Sequence, residues 1–310
     1  MSVLVSITLK IFVLMAAGFF AAHFKIMDEA VKKGLSEMLI YIFLPANLFV
    51  SSQADFSIRQ MIGIGYTIVF TLVYYAIVIS LCYLGSRPFF KDKTKSGMFA
   101  LLIAFANTGF IGMSIIRETV AGSGLLYAAV YNCIFDVVYF SIGVMLLQSE
   151  KEKISIYAIM KNAIIWIAIA AIILYVIPYR FPVVLTETVD VLGGCMLPVS
   201  MMIIGAELYT IKPDEVLKDK VSYITSFFRM ILVPAITLVV LFFLHVEKSL
   251  AMTMVLLTAM PSGSLNVIIG RKYDADVKYA TTTIMQNTII MLLTLPAFIY
   301  LCERFLFFRH

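Results

Sequence analysis

The chain has 310 residues, of which 62% are apolar and 14% charged, against roughly 25% charged in an ordinary soluble domain. A membrane-spanning helix takes about 20 mostly apolar residues, so this composition furnishes about eight to ten spans; it excludes a soluble enzyme, a nucleic-acid binder and a disordered chain. The net charge of +5 therefore marks cytoplasmic loops and not a nucleic-acid surface.

Apolar runs of spanning length fall at 3–22, 35–52, 60–84, 96–116, 123–148, 159–177, 187–208, 222–244, 249–270 and 279–301, ten in all. Lipid offers the backbone no partners, so only helices or closed barrels cross it, and runs this long and continuous are helices. The second and seventh are short and interrupted by Pro45 and Pro198. The first follows Met1-Ser2 with no basic leader, so a cleavable signal peptide is not expected. Cys82, Cys133, Cys195 and Cys302 lie far apart inside these runs without CxxC spacing, which suits packing and neither a zinc site nor a disulfide framework.

Basic residues orient the runs. The odd-numbered loops carry sixteen Lys and Arg, from Lys25, Lys32 and Lys33 in the first to Arg271, Lys272 and Lys278 in the last; the even loops and the C-terminus carry six. By the positive-inside rule the richer side is cytoplasmic and both termini face out. Arg229, inside the eighth run, is within reach of the cytoplasmic end and is expected to snorkel there. Glu207 and Asp190 near the ends of the seventh suit interfacial solvation.

The halves share landmarks at a fixed offset of 153: Leu44-Pro45 recurs as Leu197-Pro198, Thr108 falls on Pro261, and Asn132 falls within one residue of Gln286. Each half, 1–150 and 151–310, holds five helices, an odd number, so the second enters the membrane from the opposite side. Inverted repeats of this kind build many secondary transporters, and paired interruptions in corresponding helices point to the binding site. Here they are Asn107-Thr108-Gly109 with Gly112 in the fourth helix, and Pro261-Ser262-Gly263-Ser264 with Asn266 in the ninth. The alternative is that Gly and Pro serve only tight helix packing.

Phe43-Leu44-Pro45, the stretch Ala106-Asn107-Thr108-Gly109-Phe110-Ile111-Gly112, and Ala259-Met260-Pro261-Ser262-Gly263 followed by Arg271-Lys272-Tyr273 and Asp276 resemble the auxin efflux carrier family in its bacterial branch, over essentially the whole chain. The resemblance implies a ten-helix fold shared with the bile-acid sodium symporters, in which helices 4 and 9 unwind and cross at mid-membrane. It further implies a scaffold of helices 1, 2, 6 and 7, a transport unit of helices 3–5 and 8–10, and organic-anion substrates including malate and malonate. Where some members carry Pro beside the crossing, this chain has Ser114 and Asn266. The loop at 149–156 is short, so the long cytoplasmic loop of many plant members is absent.

Unwound backbone at mid-membrane is tolerated only where it lines a cavity or meets a ligand, and the N-terminal ends of the second half-helices suit a carboxylate. Asn107, Thr108, Gly109, Asn132, Pro261, Ser262, Gly263, Ser264 and Asn266 are the expected substrate-binding set. Thr108 and Ser264 are equally able to bond their own helix carbonyls; the amides of Asn107 and Asn266 are not easily satisfied within their own helices. Asp136 sits in the fifth span, where a carboxylate costs roughly 2.5–3.5 kcal/mol, sharing a face with Asn132 and Tyr139. It is read as a coupling carboxylate, with a structural, neutral Asp as the alternative. Gln286 and Asn287, in the symmetric place in the tenth span, either join the coupling site or make interhelical contacts. Pro45, Pro198, Gly112 and Ser114 are the expected helix-break residues.

The expectation is therefore an all-α, multi-pass protein of the cell membrane, a secondary carrier of small organic anions working by elevator-type alternating access. The coupling ion is H⁺ or Na⁺, the latter near Asn132, Asp136 and Gln286; no metal or other cofactor is expected. Partners are a small organic acid, membrane lipid and a second copy in a homodimer. A Na⁺-coupled symporter of organic solutes and a channel or sensor on the same fold are the alternatives. An intramembrane enzyme is disfavoured because no HExxH or GxGD motif occurs and His23, His245 and His310 lie in loops or at a terminus.

Overall fold

The computed structural model describes residues 3–53, 57–90, 92–120, 122–147, 163–177, 179–210, 219–273 and 275–307. The boundary between the halves at 150 and 151, and the basic loop around it, lie outside these residues. The described chain is nearly all helix: α1 (Val3–His23), α2 (Glu29–Ser52), α3 (Ile58–Ser86), α4 (Lys93–Ala104), α5 (108–119), α6 (Gly124–Gly143), α7 (Ala163–Val176), α8 (Val183–Thr210), α9 (Lys220–Phe243), α10 (Lys248–Thr258), α11 (Leu265–Lys272) and α12 (Val277–Phe307). Among the described residues no strand forms, only one isolated antiparallel bridge. Six helices, α2, α3, α6, α8, α9 and α12, are long and apolar enough to cross a membrane.

Carboxylates start four of the helices. Asp28, Asp92, Asp219 and Glu247 accept hydrogen bonds from the first free N–H groups of α2, α4, α9 and α10, satisfying donors that have no intrahelical partner. The surface of α3 then separates by period: Ile62, Tyr66, Val69, Val73, Ile77 and Leu81 face outward, whereas Thr67, Thr71, Tyr74 and Tyr75 are buried. An apolar outer stripe with polar groups turned inward is what lipid requires of a spanning helix.

Pro45 does not break its helix. A π-helical turn, Leu39–Phe43, precedes it, and α2 runs on to Ser52. Proline lacks an N–H and clashes with the carbonyl four residues back; the wider turn absorbs both by shifting the bonding register. The same device, Phe228–Leu232, precedes Pro234 in α9. Near Pro198, α8 is interrupted by a single turn residue, Cys195, between Gly194 and Met196.

Helices α1 and α8 pack together, α8 also on α2, and α2 on α7; α3 packs on α4 and α6, α9 on α10 and α12, and α10 on α6. Two glycines set the closest of these approaches. A Cβ on Gly18 would lie 1.9 Å from the Met202 carbonyl oxygen, and one on Gly205 1.9 Å from that of Met15. At the centre, the inner ends of α4 and α10 are buried all round: Ala100 to Ala106 are at most 2% exposed and Thr253 to Met260 fully enclosed. The two helices interrupted in sequence are thus the core about which the others are arranged.

Gly18→Val or Gly205→Val is expected to force α1 from α8 and lower stability in detergent melts by about 1–3 kcal/mol. Gly85→Ala, whose Cβ meets nothing within 4 Å, is expected to stay within about 0.5 kcal/mol of wild type.

Candidate functional site

Helix α4 stops because Phe105 turns extended, with φ −105° and ψ 100°. Its ring is held between Tyr75, stacked at 4.8 Å, and Tyr139, edge-on at 4.7 Å. On the other side of the core, the chain between α10 and α11 also opens. The two open segments lie antiparallel across Ala106 and Ser262: Asn107 N–H donates to the Pro261 carbonyl at 2.7 Å, and Gly263 N–H to that of Phe105 at 3.0 Å. Freed backbone groups therefore satisfy one another, as buried peptide groups must. Gly263 permits the approach, since a Cβ there would stand 3.2 Å from the Ala106 carbonyl oxygen.

The carbonyls ending α4 and α10 draw on side chains. Ser262 hydroxyl donates to Leu102 O, Tyr74 hydroxyl to Ala104 O at 3.2 Å, and the Asn266 amide to Phe105 O at 3.2 Å. Arg229 supplies two more bonds. Its Nη1 donates to Ile103 O at 2.7 Å and its Nε to Met260 O at 2.9 Å, so one guanidinium joins the ends of both half-helices. Arg229 is fully buried and does not snorkel to the interface as its place in the sequence suggested. The π turn Phe228–Leu232 that carries it presents the side chain to the core, where two helix C-termini attract a cation.

The expected binding residues divide by partner. Thr108 hydroxyl donates to Asn132 Oδ1 at 2.6 Å, and the Asn287 amide donates to Ser262 Oγ at 2.7 Å. A hydroxyl–amide pair thus ties each side of the crossing to a neighbouring helix, α6 or α12. Ser262 already donates its proton, and the Phe105 carbonyl only accepts, so Asn287 and Asn266 both present their nitrogens there. Their oxygens, Asn266 Oδ1 and Asn287 Oδ1, are buried without a partner among the described residues. Asn107 differs from expectation: its Oδ1 caps its own helix, accepting from Phe110 N–H at 3.3 Å, because a residue just before a helix start is placed to do so. Gly112 and Ser114 lie within α5, downstream of the actual interruption at 105–107; Ser114 hydroxyl bonds the Phe110 carbonyl and meets Ser200 at 3.0 Å. Asp136 is buried one turn beyond Asn132. Gln286 accepts from Ser226 of α9 at 3.1 Å.

A cavity of about 70 Å³ opens beside the crossing, several times the 10–15 Å³ or so that one water needs. Asn107, Pro261, Ser262 and Ser264 of the crossing line it, together with Ser36 of α2 and Ser200 and Glu207 of α8. Gly109 adjoins open space. Glu207, read from sequence as an interfacial residue, is a carboxylate of this cavity. Asp190 is likewise engaged: Arg117 at the end of α5 pairs with it at 2.6 Å and bonds Asn47 Oδ1 of α2, while the Asn47 amide reaches the Gly193 carbonyl at 3.0 Å. Sequence reasoning missed Arg229, Tyr74, Glu207 and Arg117. The signal available for Arg229 was the set of carbonyls that two broken helices leave in need of donors.

The sequence matches the family described as membrane transport protein over residues 3–164 and again over 153–299. The chain belongs to that family. It is the auxin-efflux-carrier-like family indicated by the motifs. The chain is similar to the uncharacterized transporter YfdV of Escherichia coli (strain K12), 24% identical over 308 residues, 94% of this chain and 95% of that one. It is also similar to an uncharacterized transporter of Methanocaldococcus jannaschii, 24% identical over 298 residues, with 93% and 96% covered. A Rhizobium meliloti protein named "Putative malonate transporter" is 20% identical over 320 residues, with 97% and 96% covered. With its apolar helices, the chain is a multi-pass integral membrane protein with a transport role.

Removing one member of a hydroxyl–amide pair leaves the other bare in a dry site. Ser262→Ala is expected to destabilise by about 1–3 kcal/mol. A double-mutant cycle with Asn287→Leu, read from detergent melts, is expected to return a coupling of about 0.6–1.7 kcal/mol.

Proposed function

We propose that the chain is a secondary active carrier of small organic anions, dicarboxylates such as malate or malonate or related carboxylic acids, bound at the crossing and moved by elevator-type alternating access. The observation that carries this reading is the cavity walled by Asn107, Ser262 and Ser264 at the N-terminal ends of α5 and α11. Helix N-termini carry free N–H donors and roughly half a positive charge, so two of them hold a carboxylate without a basic side chain in the cavity. Family membership supports transport, and the name of the Rhizobium meliloti relative supports the substrate class.

In this reading α4 with α5, and α10 with α11, are the broken members of two inverted five-helix repeats in a ten-span fold with both termini outside. The pairs Thr108–Asn132 and Ser262–Asn287 support it, since they recur at nearly the offset that relates the sequence landmarks. Helices α1, α2, α7 and α8 form the scaffold and the others the moving unit. The cavity lies between the two, bounded by α2 and α8 across from the crossing, and Arg117 with Asn47 and Asp190 fastens the moving α5 to the scaffold on the far side. In this reading the carrier is closed outside and open inside. The coupling ion is H⁺ or Na⁺, and Asp136, buried beside Asn132, is the carboxyl suited to a proton. The protein is not an enzyme in this reading.

Liposomes holding the purified protein are expected to take up labelled malonate or malate under an imposed pH gradient, with Asn107→Ala lowering the transport efficiency about tenfold or more. Asp136→Asn is expected to lose the response to the gradient while retaining exchange of substrate for substrate. No flux of any dicarboxylic or monocarboxylic acid through folded protein would overturn the reading. Arg117→Ala is expected to free the outer side, so that Asn107→Cys in a cysteine-free background reacts several times faster with a thiol reagent added outside.

A further inference from the structure

In carriers built on broken helices, unwound carbonyls and half-helix C-terminal ends coordinate the coupling Na⁺. Those positions are occupied in this chain by its own donors. From Leu102 to Phe105 each carbonyl accepts from Ser262, Arg229, Tyr74 or the Gly263 and Asn266 nitrogens. Met260 O accepts from Arg229 and Pro261 O from Asn107 N–H. Charge balances as well. Each C-terminal end carries roughly −0.5, so the two together match one guanidinium. Arg229 is fully buried and forms no ion pair among the described residues, which leaves the helix ends as its counter-charge.

We propose that Arg229 is a tethered counter-ion standing where a coupling metal cation would sit, so that the crossing works without Na⁺. It is a positioning residue: it holds α4 and α10 together and cancels their negative ends, leaving the N-terminal ends of α5 and α11 to set the sign of the cavity. A mobile cation is opposed twice, by the donors already on these six carbonyls and by repulsion from the guanidinium. The inference deepens the carrier reading and rests on it for the role of the site, but its test needs no substrate.

The test is the melting of detergent-solubilised protein in choline, potassium and sodium chloride at equal ionic strength. Wild type is expected to melt at one temperature in all three; a rise of about 3 °C or more specific to Na⁺ overturns the proposal, since only a bound ion stabilises in that manner. This outcome also covers Na⁺ held by the bare oxygens of Asn266 and Asn287. Arg229→Ala bares the Ile103 and Met260 carbonyls. It is expected to melt lower in choline and to regain part of the loss in Na⁺, whereas an equal loss in all three salts would reduce Arg229 to packing and overturn the proposal. If that variant does not fold, Arg229→Lys keeps the charge without the fork and is expected to be lower-melting but indifferent to Na⁺; a Na⁺-specific recovery there counts against the proposal. Malonate uptake by wild type is expected to be equal with and without Na⁺, and uptake that requires Na⁺ overturns the proposal. Failure of all organic-acid uptake, with melting indifferent to Na⁺, counts against the carrier reading and supports this one.

Discussion

Polar backbone at the centre of the molecule must find partners there, because neither lipid nor a dry core supplies them. Two interrupted helices meet this requirement together. The antiparallel contact across Ala106 and Ser262 pairs the groups that each interruption frees, so neither half-helix pair is satisfied without the other. Much follows from it. The inner turns of α4 and α10 are enclosed, Gly263 leaves little space for a Cβ, and Phe105 is clamped by Tyr75 and Tyr139 because its extended backbone fixes the register of the contact.

The same contact sorts charge. A break turns one long helix into two, and so creates a C-terminal and an N-terminal end within a few residues of each other. In this chain the negative ends receive Arg229, Tyr74 and the Ser262 hydroxyl. The positive ends receive less: Asn107 caps α5 through one bond, and Ser264, at the start of α11, makes no side-chain capping bond. Burying a guanidinium costs several kcal/mol, and hydrogen bonds to a charged group return about 1.5–3 kcal/mol each. Two carbonyls and a tyrosine oxygen offset that cost, while Nη2 is buried without a partner among the described residues.

Much of this was legible in the sequence. The apolar runs and the two clusters of Asn, Gly, Ser and Pro mark helices and their interruptions by elementary rules, and Thr108, Asn132, Ser262, Asn266 and Asn287 do meet at or beside the crossing. Three features were not legible, for physical reasons. A π turn leaves no mark in the apolar periodicity, so neither the smooth passage of α2 through Pro45 nor the inward aim of Arg229 follows from a period of 3.6. The capping role of Asn107 depends on where the helix restarts, and Gly112 had suggested a later break. The engagement of Asp190 with Arg117 joins helices whose proximity no local pattern encodes.

A carrier that moves its site as one body needs strong contacts inside the body and weak ones at its boundary, and the magnitudes run in that order. Within the crossing, charge-assisted bonds from Arg229 lie in a fully buried setting and resist parting. At the boundary, the pair of Arg117 with Asp190 involves an aspartate side chain 52% exposed, and exposed pairs contribute roughly 0–1 kcal/mol. The Ser114–Ser200 contact is a single neutral hydrogen bond, about 1 kcal/mol. Thermal motion that opens such contacts leaves the antiparallel pairing and its guanidinium clamp intact. In the elevator reading proposed above, the weak contacts of α5 with α2 and α8 are among those that part, and the crossing moves whole.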